Sequence, residues 1–376
     1  MGGKMSKKEK SSLLTAIVIG AGIRGSIYAQ YAHIYPDRLK IIGVADPREF
    51  YRRKLQERFN IQDENCFSDW SEASQRDKMS DCVIITTPDR LHKDPAIAFA
   101  KKGYNILLEK PMAVNEKDCR EIVTTCKEND VALAICHVLR YAPWAIKLRE
   151  LIDSGVIGEV VNINHTEPPP GAASRCTECP SHIESKCPYS AKKIYLDQIK
   201  QGDVDFPVCV IAEKPTLESV TTALKTGPYG VCVYDNDNDV MSNQVVNMQF
   251  EGGATATLTM MAFTKSVCTR EVKVYGTKGQ LSCIATSCPV IQYFDFLTGQ
   301  THEYPAESTR MSGISGHGGA DFHCIHSFVS SVANETLADI VTGPEESLAG
   351  HLLVFAAEKA RKENRVVTLQ PDGSYN

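Results

Sequence analysis

The sequence predicts an α/β protein that begins with a doubly wound parallel sheet and continues into a β-rich second domain. Strands alternate with helices over the first 140 residues, and a glycine-rich turn joins the first strand to the first helix. Apolar and polar residues alternate with a period of two in 244–263, which is typical of a hairpin. The length of 376 residues agrees with two domains.

The first strand and the turn after it indicate a dinucleotide site. The apolar run 13–19 is followed at once by a G-x-G-x-x-G pattern and then by a predicted helix. Glycines in this context allow a tight turn and a close approach of a pyrophosphate to the helix N-terminus, although the alternative is a glycine turn in some other α/β protein. The predicted cofactor contacts in this turn are Gly20, Gly22, Ile23, Arg24 and Gly25.

The second strand ends at an acidic residue. Asp46 lies 21 residues beyond Gly25, where a carboxylate is expected to hold the ribose hydroxyls of NAD. A carboxylate repels the 2′-phosphate of NADP, so NAD is favoured, but the nearby Arg24 and Arg48 weaken that preference.

The following strands bring further polar residues to the same edge of the sheet. Strands are predicted at 81–88, 104–111 and 131–137, with helices at 93–103 and 116–130 between them. Ligands bind beyond the carboxyl ends of such parallel strands. The additional cofactor contacts predicted there are Thr86, Thr87, Pro88, His92, Glu109 and Lys110.

Lys110 is the predicted catalytic residue. It ends the apolar run 106–108 within the letters ILLEKP, where a nicotinamide ring and a substrate alcohol would meet. A lysine in that place can transfer the hydroxyl proton while hydride moves to the ring. The alternative is a salt-bridged lysine at a sheet edge.

Composition excludes several classes of function. The net charge of −5 gives no reason to expect a nucleic-acid partner, and no apolar run approaches the length of a membrane span. Fourteen Cys without a secretory segment indicate reduced thiols and a cytoplasmic location. Residues 1–11 are predicted to form a flexible basic tail whose Gly2 and Ser6 fit an N-myristoylation pattern and a peripheral membrane contact; a solvated tail is the alternative.

At this point the sequence resembles the Gfo/Idh/MocA family of oxidoreductases, which includes glucose–fructose oxidoreductase and inositol dehydrogenase. The resemblance rests on AIVIGAGIRG, VADP, TTPDRLH, LLEKPMAV, HVLRYAPW, VYGTKGQL and GHGGADF. It implies an NAD(P)-binding Rossmann domain at 12–140 and an α+β domain at 141–376 with a large, mostly antiparallel open sheet. It also implies Lys110 as a catalytic residue, a sugar, cyclitol or related polyol as substrate, and a homo-oligomer.

One element of the family pattern is missing. Members usually carry an Asp-x-x-x-His or His-Asp element in the second domain that shares proton transfer with the lysine. Here Glu167 runs directly into PPPGAASRC, and no D-x-x-x-H lies between 140 and 230. We therefore expect that an internal segment is absent, that apolar sheet surface is left uncovered, and that dehydrogenase turnover is weak. A non-catalytic dinucleotide-binding relative and an NAD-dependent glycosidase remain as alternatives.

Five other residues are candidates for substrate contacts. The resemblance places the GHGGADF motif near the active site, whereas the alternative is a turn with Asp321 capping the next helix. A strand end precedes the other three. The candidates are His137, Arg140, Tyr141, His317 and Asp321.

A cysteine-rich segment offers a weak metal-site pattern. Cys176 and Cys179 form a C-x-x-C, but His182 and Cys187 do not continue it at finger spacing. The prediction is a surface loop with free thiols and no metal.

Overall fold

The computed structural model divides the chain into two compact units. It describes residues 13–157, 160–167, 176–179, 184, 187, 189–205, 207–231, 241, 243–261, 270–285, 290–306 and 316–376. The first unit comprises 1–154, 287–291 and 304–376, and the second comprises 155–286 and 292–303. The predicted tail at 1–11, and with it the lipidation pattern, lies outside the described residues.

A six-stranded parallel sheet organises the first unit. Its strand order is β3-β2-β1-β4-β5-β6, and all neighbouring strands are parallel. The chain adds β2 and β3 on one side of β1 and then β4, β5 and β6 on the other, so the topological switch point lies between β1 and β4. This order is that of a doubly wound dinucleotide-binding fold and confirms the predicted fold class. The strands are β1 (Leu14–Ile19), β2 (Leu39–Ala45), β3 (Cys66–Phe67), β4 (Cys82–Ile85), β5 (Asn105–Leu108) and β6 (Leu133–Ile135).

Helices cover both faces of this sheet. Successive strand residues point to opposite faces, so Val18 and Ile84 enter one apolar core while Ile17 and Ile85 enter the other. This explains why the strands are apolar at nearly every position. The helices are α1 (Ile23–Ile34), α2 (Glu49–Phe59), α3 (Trp70–Gln75), α4 (Lys93–Lys101), α5 (Glu116–Glu128) and α6 (Pro143–Asp153).

The last two long helices join the first unit and not the second. The helix α10 (Ala320–Ala333) buries Ile325 and Phe328 in the same core as α1, and α11 (Pro344–Glu363) packs against α5 and β6. The division therefore differs from the expected boundary at residue 140. Apolar residues on α10 complete a core that the first 140 residues leave open.

The second unit is built on a mostly antiparallel seven-stranded sheet with the order β13-β12-β11-β10-β7-β9-β8. β7 and β9 are parallel neighbours, whereas β7–β10, β10–β11 and β8–β9 are antiparallel. Val245 on the edge strand β8 is 62% exposed. The strands are β7 (Val160–Glu167), β8 (Asn243–Gln249), β9 (Thr255–Met261), β10 (Arg270–Gly276), β11 (Gly279–Ala285), β12 (Val290–Asp295) and β13 (Thr301–Pro305).

Short helices occupy the connection between β7 and β8. They include α7 (Asp197–Lys200), α8 (Val208–Ile211) and α9 (Leu217–Thr226), which share a small core of their own around Val208 and Leu224. None of the described helices has the length and apolar character needed for a membrane span.

Candidate functional site

The turn after β1 has the geometry of a phosphate-binding loop. Gly20 has φ +93°, and a Cβ at this position would lie 2.6 Å from the carbonyl oxygen of Thr86. A Cβ on Gly25 would lie 2.1 Å from the Gly20 carbonyl oxygen. Both positions therefore require glycine, because the first helix packs directly on its own entry turn.

The N-terminus of α1 is open to an anion. Gly22 is the N-cap residue and provides no side-chain cap, and the first turn contains no acidic residue. The first amides of a helix lack partners within the helix and attract negative charge. These features fit the pyrophosphate of a dinucleotide, and Ile23, the first helical residue, lies at this open end.

Asp46 lies where the sequence predicted it, but both of its oxygens are already occupied. Oδ2 accepts from the Ala21 amide at 2.8 Å and from Arg48 Nη2 at 2.9 Å. Oδ1 accepts from the Arg48 amide at 2.9 Å and from Arg48 Nε at 3.0 Å. Burial disfavours the charged carboxylate, but these bonds lower the pKa of Asp46 on balance. Ribose hydroxyls must therefore displace the Arg48 guanidinium to reach it.

The loop after β4 is fastened to the neighbouring loop by one histidine. The imidazole of His92 is fully buried. Its nitrogens lie 2.7 Å from the carbonyl oxygen of Pro111 and 2.8 Å from that of Thr87. Thr86 Oγ1 donates to the Gly20 carbonyl at 2.6 Å, and Pro88 is exposed at the start of the loop. His92 thus joins two loops of the predicted cofactor site.

Lys110 is exposed at the end of β5, and Glu109 beside it is not free to act as a base. Glu109 Oε2 accepts from the backbone amide of Lys110 at 2.6 Å. Its Oε1 accepts from Arg24 Nε at 2.5 Å and from the Tyr28 hydroxyl at 3.1 Å. The carboxylate therefore holds the backbone that carries Lys110.

Arg24 is the centre of a charged network within the first unit. Besides Glu109, its guanidinium donates to Asp321 Oδ1 at 2.6 Å and to Asp321 Oδ2 at 3.1 Å. Asp321 is completely buried in the first turn of α10. Burial opposes its charged form, but hydrogen bonds from His317 and Arg24 lower the pKa of Asp321 to about 2.

His317 is attached to the same network. Its Nδ1 lies 3.1 Å from Asp321 Oδ2, and its side chain is 42% exposed. The helix cap is Gly319, so Asp321 does not have the capping role that the sequence left open. The buried Asp321 carboxylate therefore orients the imidazole of His317, which is exposed to solvent.

His137 lies beside Lys110 at the next strand end. Leu108 of β5 pairs with Ile135 of β6, which places Lys110 and His137, two residues further on, side by side at one edge. Burial, together with the charges of Arg140 and Lys110 and the neighbouring His351, lowers the pKa of His137 to about 4. It is therefore a neutral imidazole at physiological pH.

The other two substrate candidates differ in exposure. Arg140 is exposed and lies 3.4 Å from Glu346. Tyr141 is 4% exposed, and its hydroxyl forms a 2.8 Å hydrogen bond with Thr342 Oγ1. In this chain Tyr141 is a core residue that contacts α10 and the segment before α11, so we do not propose it as a substrate contact.

The structure describes only part of the cysteine-rich segment. Among the residues that the structure describes, no three His, Cys, Asp or Glu side chains come together as a set of ligands. Cys176 is buried, and Cys179 and Cys187 are partly buried. His182 lies outside the described ranges.

Comparison with known proteins finds a family match within the first unit. Residues 14–137 match the model of the Gfo/Idh/MocA oxidoreductase family, described as having an NAD-binding Rossmann fold. These residues form a Gfo/Idh/MocA domain. The glycine turn, Asp46 and the Glu109-Lys110 strand end all lie inside the matched range.

Individual relatives of this Gfo/Idh/MocA domain match parts of the chain. A 2,7-anhydro-N-acetylneuraminate hydratase of Escherichia coli is 35% identical over 153 residues, which are 40% of this chain and 38% of that protein. A myo-inositol 2-dehydrogenase of Thermotoga maritima is 28% identical over 155 residues, 41% of this chain and 45% of that protein. The matched regions thus span less than half of the length of these two relatives.

A likeness in fold extends over nearly the whole chain. An oxidoreductase from Agrobacterium radiobacter, solved with NAD⁺, L-tartaric acid and magnesium, aligns with a TM-score of 0.64 and 16% identity. The alignment covers 94% of this chain and 97% of that one. At this identity the likeness concerns the fold alone.

Three residues of the site were not predicted from the sequence. Tyr28 lies one helical turn after Arg24, a spacing from which the contact could have been suspected. His351 accepts a hydrogen bond from the Met112 amide at 2.8 Å. The hydroxyl of Thr342 is hydrogen-bonded to the hydroxyl of Tyr141. Neither His351 nor Thr342 belongs to a pattern in the sequence that would reveal its partner.

Proposed function

We propose that the chain is an NAD(P)-dependent oxidoreductase that acts on a secondary alcohol of a sugar, cyclitol or related polyol. The observation that carries the proposal is the position of Lys110 at the carboxyl edge of a sheet whose glycine turn fits a pyrophosphate. A neutral lysine amine at this edge, where a nicotinamide and a substrate alcohol would meet, can accept the hydroxyl proton.

The residues around Lys110 support its role in proton transfer. Glu109, tied to Arg24 and Tyr28, fixes the backbone at Lys110, and neutral His137 lies on the neighbouring strand end. A nicotinamide cofactor bound at this edge would accept the hydride. Lys110 receives the hydroxyl proton as the substrate carbon loses hydride and becomes a carbonyl.

The substrate class is supported by the relatives and by the polar character of the edge. The relatives include a myo-inositol 2-dehydrogenase and a 2,7-anhydro-N-acetylneuraminate hydratase, whose names denote cyclic compounds that carry several hydroxyl groups. Arg140 and His137 offer donors for hydroxyl or carboxylate groups. A ring compound with several hydroxyls is therefore the class to test first.

A second candidate is a dinucleotide-binding relative with impaired catalysis. It is favoured by one observation, the absence of an Asp-x-x-x-His element between residues 140 and 230. Under this alternative the purified chain binds NADH but does not oxidise or reduce any polyol. An assay for nitrophenol released from nitrophenyl glycosides distinguishes a glycosidase from both of these candidates.

The experiment measures NAD⁺ and NADP⁺ reduction by the full chain with myo-inositol and a panel of cyclic polyols. We expect turnover that Lys110→Met abolishes without changing the Kd for NADH. Lys101→Met is the matched control, because Lys101 is an exposed lysine at the C-terminus of α4, at the opposite edge of the sheet. Turnover that survives in Lys110→Met contradicts the proposed role of the lysine.

A further inference from the structure

Two histidines hold the backbone directly after Lys110. The carbonyl oxygen of Pro111 lies 2.7 Å from Nδ1 of His92. The amide of Met112, whose side chain is fully buried, donates to Nε2 of His351 at 2.8 Å. His351 lies on α11, 239 positions after Met112, and both residues belong to the first unit. The strand end that carries the lysine is therefore joined directly to α11.

The contacts of His351 define the arrangement of its protons. Because Nε2 accepts from an amide, it must present a lone pair, and in the neutral ring the proton then lies on Nδ1. Nδ1 donates to the carbonyl oxygen of Ser347, one turn earlier on α11, at 2.7 Å. His351 is 7% exposed, and this burial lowers its pKa although the bond to Ser347 opposes the shift. The neutral ring, which can accept from Met112, is therefore the favoured form.

The same turn of α11 contacts the neighbouring strand end. The ring centroids of His351 and His137 are 5.5 Å apart, with the ring planes at 55°. His137 follows β6 in the position beside Lys110. The carbonyl oxygen of Thr342, just before α11, accepts from the amide of Ile135 in β6 at 3.0 Å. The start of α11 thus supports the ends of β5 and β6 together.

We propose that His351 is a positioning residue for Lys110, which fixes the strand end so that the lysine amine meets the substrate hydroxyl. The inference rests on the proposed oxidoreductase function. It gives His351 no proton to carry in the reaction, because Nε2 is occupied by the amide of Met112. Displacement of a reacting group by about 1 Å can slow a reaction about 100-fold, so a single buried hydrogen bond at this place can govern the rate.

The two histidines have different parts in the site. The second ring nitrogen of His92 lies 2.8 Å from the carbonyl oxygen of Thr87, a predicted cofactor contact. His351 instead contacts Met112, Ser347 and His137, none of which is a predicted cofactor contact. A residue supported by a helix is also held more precisely than one supported by a loop. Loss of His351 should therefore affect the rate of the reaction and not the binding of the cofactor.

The test compares two substitutions of His351. His351→Leu retains an apolar side chain but cannot accept from the Met112 amide, whereas the amide oxygen of His351→Gln can take the place of Nε2. We expect kcat for the best polyol to fall about tenfold in His351→Leu, with KM and the Kd for NADH within about twofold of wild type. His351→Gln should recover kcat to within about threefold of wild type. His33→Leu is the matched control, since His33 is an exposed histidine in the last turn of α1.

The solvent deuterium isotope effect separates positioning from a general loss of structure. In His351→Leu the isotope effect on kcat should rise, because proton transfer to a displaced Lys110 becomes slow relative to the other steps. A smaller fraction of folded molecules would lower kcat equally in H₂O and D₂O. It would therefore leave the isotope effect unchanged.

The outcomes that overturn the proposal differ in what else they remove. If His351→Leu turns over within about twofold of wild type while Lys110→Met is inactive, His351 does not position the lysine and the oxidoreductase function stands. A lower kcat with an unchanged isotope effect, or one that His351→Gln does not recover, also rejects the positioning role. If the wild-type chain binds NADH but turns over no polyol, the oxidoreductase function is wrong and the role of His351 is wrong with it.

Discussion

The Arg24 guanidinium donates two hydrogen bonds, of 2.6 and 3.1 Å, to the carboxylate of Asp321, a residue 297 positions later in the chain. Through this pair the first turn of α1 and the first turn of α10 share one buried charge network. The pair therefore connects α10 to the edge of the sheet that carries Lys110.

Loss of this pair should destabilise the first unit. Asp321 is fully buried and the Arg24 side chain is 27% exposed, so Asp321→Asn leaves a largely desolvated cation with a weaker partner. We expect a loss of about 2 kcal/mol in the free energy of unfolding. Urea denaturation followed by circular dichroism measures it. Glu358→Gln, which breaks an exposed pair with Arg361, is the control and should leave the midpoint unchanged; an equal effect of both variants would contradict a structural role for Asp321.

The buried histidine His137 should make stability depend on pH. Its pKa is lowered from 6.5 to about 4, chiefly by burial, with Lys110, Arg140 and His351 facing it. Between these values the unfolded chain binds a proton that the folded chain does not, so stability falls as the pH drops from 6.5 to 4. His137→Asn should flatten this part of the stability profile, whereas His33→Asn should not. A wild-type profile that His137→Asn leaves unaltered would show that His137 titrates normally.

Arg48 should decide how well the site accepts NADP. The guanidinium lies 2.9 Å from Asp46 Oδ2, and its side chain is 51% exposed. Because Asp46 is the predicted ribose ligand, we expect Arg48 to meet the 2′-phosphate of NADP. Arg48→Ala should weaken NADPH binding about tenfold by removing a charge-assisted contact, while it unmasks Asp46 for the ribose of NADH. Calorimetric titration with both cofactors measures the change. Arg53→Ala, on the same helix and paired with Glu49, is the control; a fall in NADH affinity alone would contradict the assignment.

His92 should be required for cofactor binding through the loops it joins. His92→Ala leaves the carbonyl groups of Thr87 and Pro111 without their shared partner and opens a cavity. We expect about 2 kcal/mol of destabilisation and a Kd for NADH raised about tenfold. His92→Gln retains one hydrogen-bond donor, so its Kd for NADH should lie between those of the wild type and His92→Ala. Fluorescence titration compares the three proteins, and equal affinities would mean that the loops hold their positions without the histidine.

The sequence predicted those parts of the site that local patterns determine. The apolar run before Gly20 and the acid after β2 are features of a strand and the turn next to it, so their positions follow from the order of elements. The same reasoning placed Glu109 and Lys110 at a strand end. The parallel order of the first sheet then brought these residues to one edge.

Contacts between distant segments could not be predicted in this way. The pairing of Arg24 with Asp321 depends on α10 packing against α1, and nothing in the periodicity of either helix specifies that partner. The hydrogen bonds from Arg48 that occupy the Asp46 carboxylate depend on the conformation of the Arg48 side chain. The burial of Tyr141 depends on the segment before α11, which contains its partner Thr342. These are consequences of tertiary packing, which a single sequence does not encode locally.

The most direct test of the account is a titration of the purified full chain with NADH, followed by fluorescence. We predict micromolar binding by the wild type and by Gly252→Ala, a control at an open glycine in the second unit. Gly25→Val should abolish it, because its side chain would collide with the Gly20 carbonyl. A wild-type chain that is folded by circular dichroism but does not bind NADH would contradict the dinucleotide site and every step built on it.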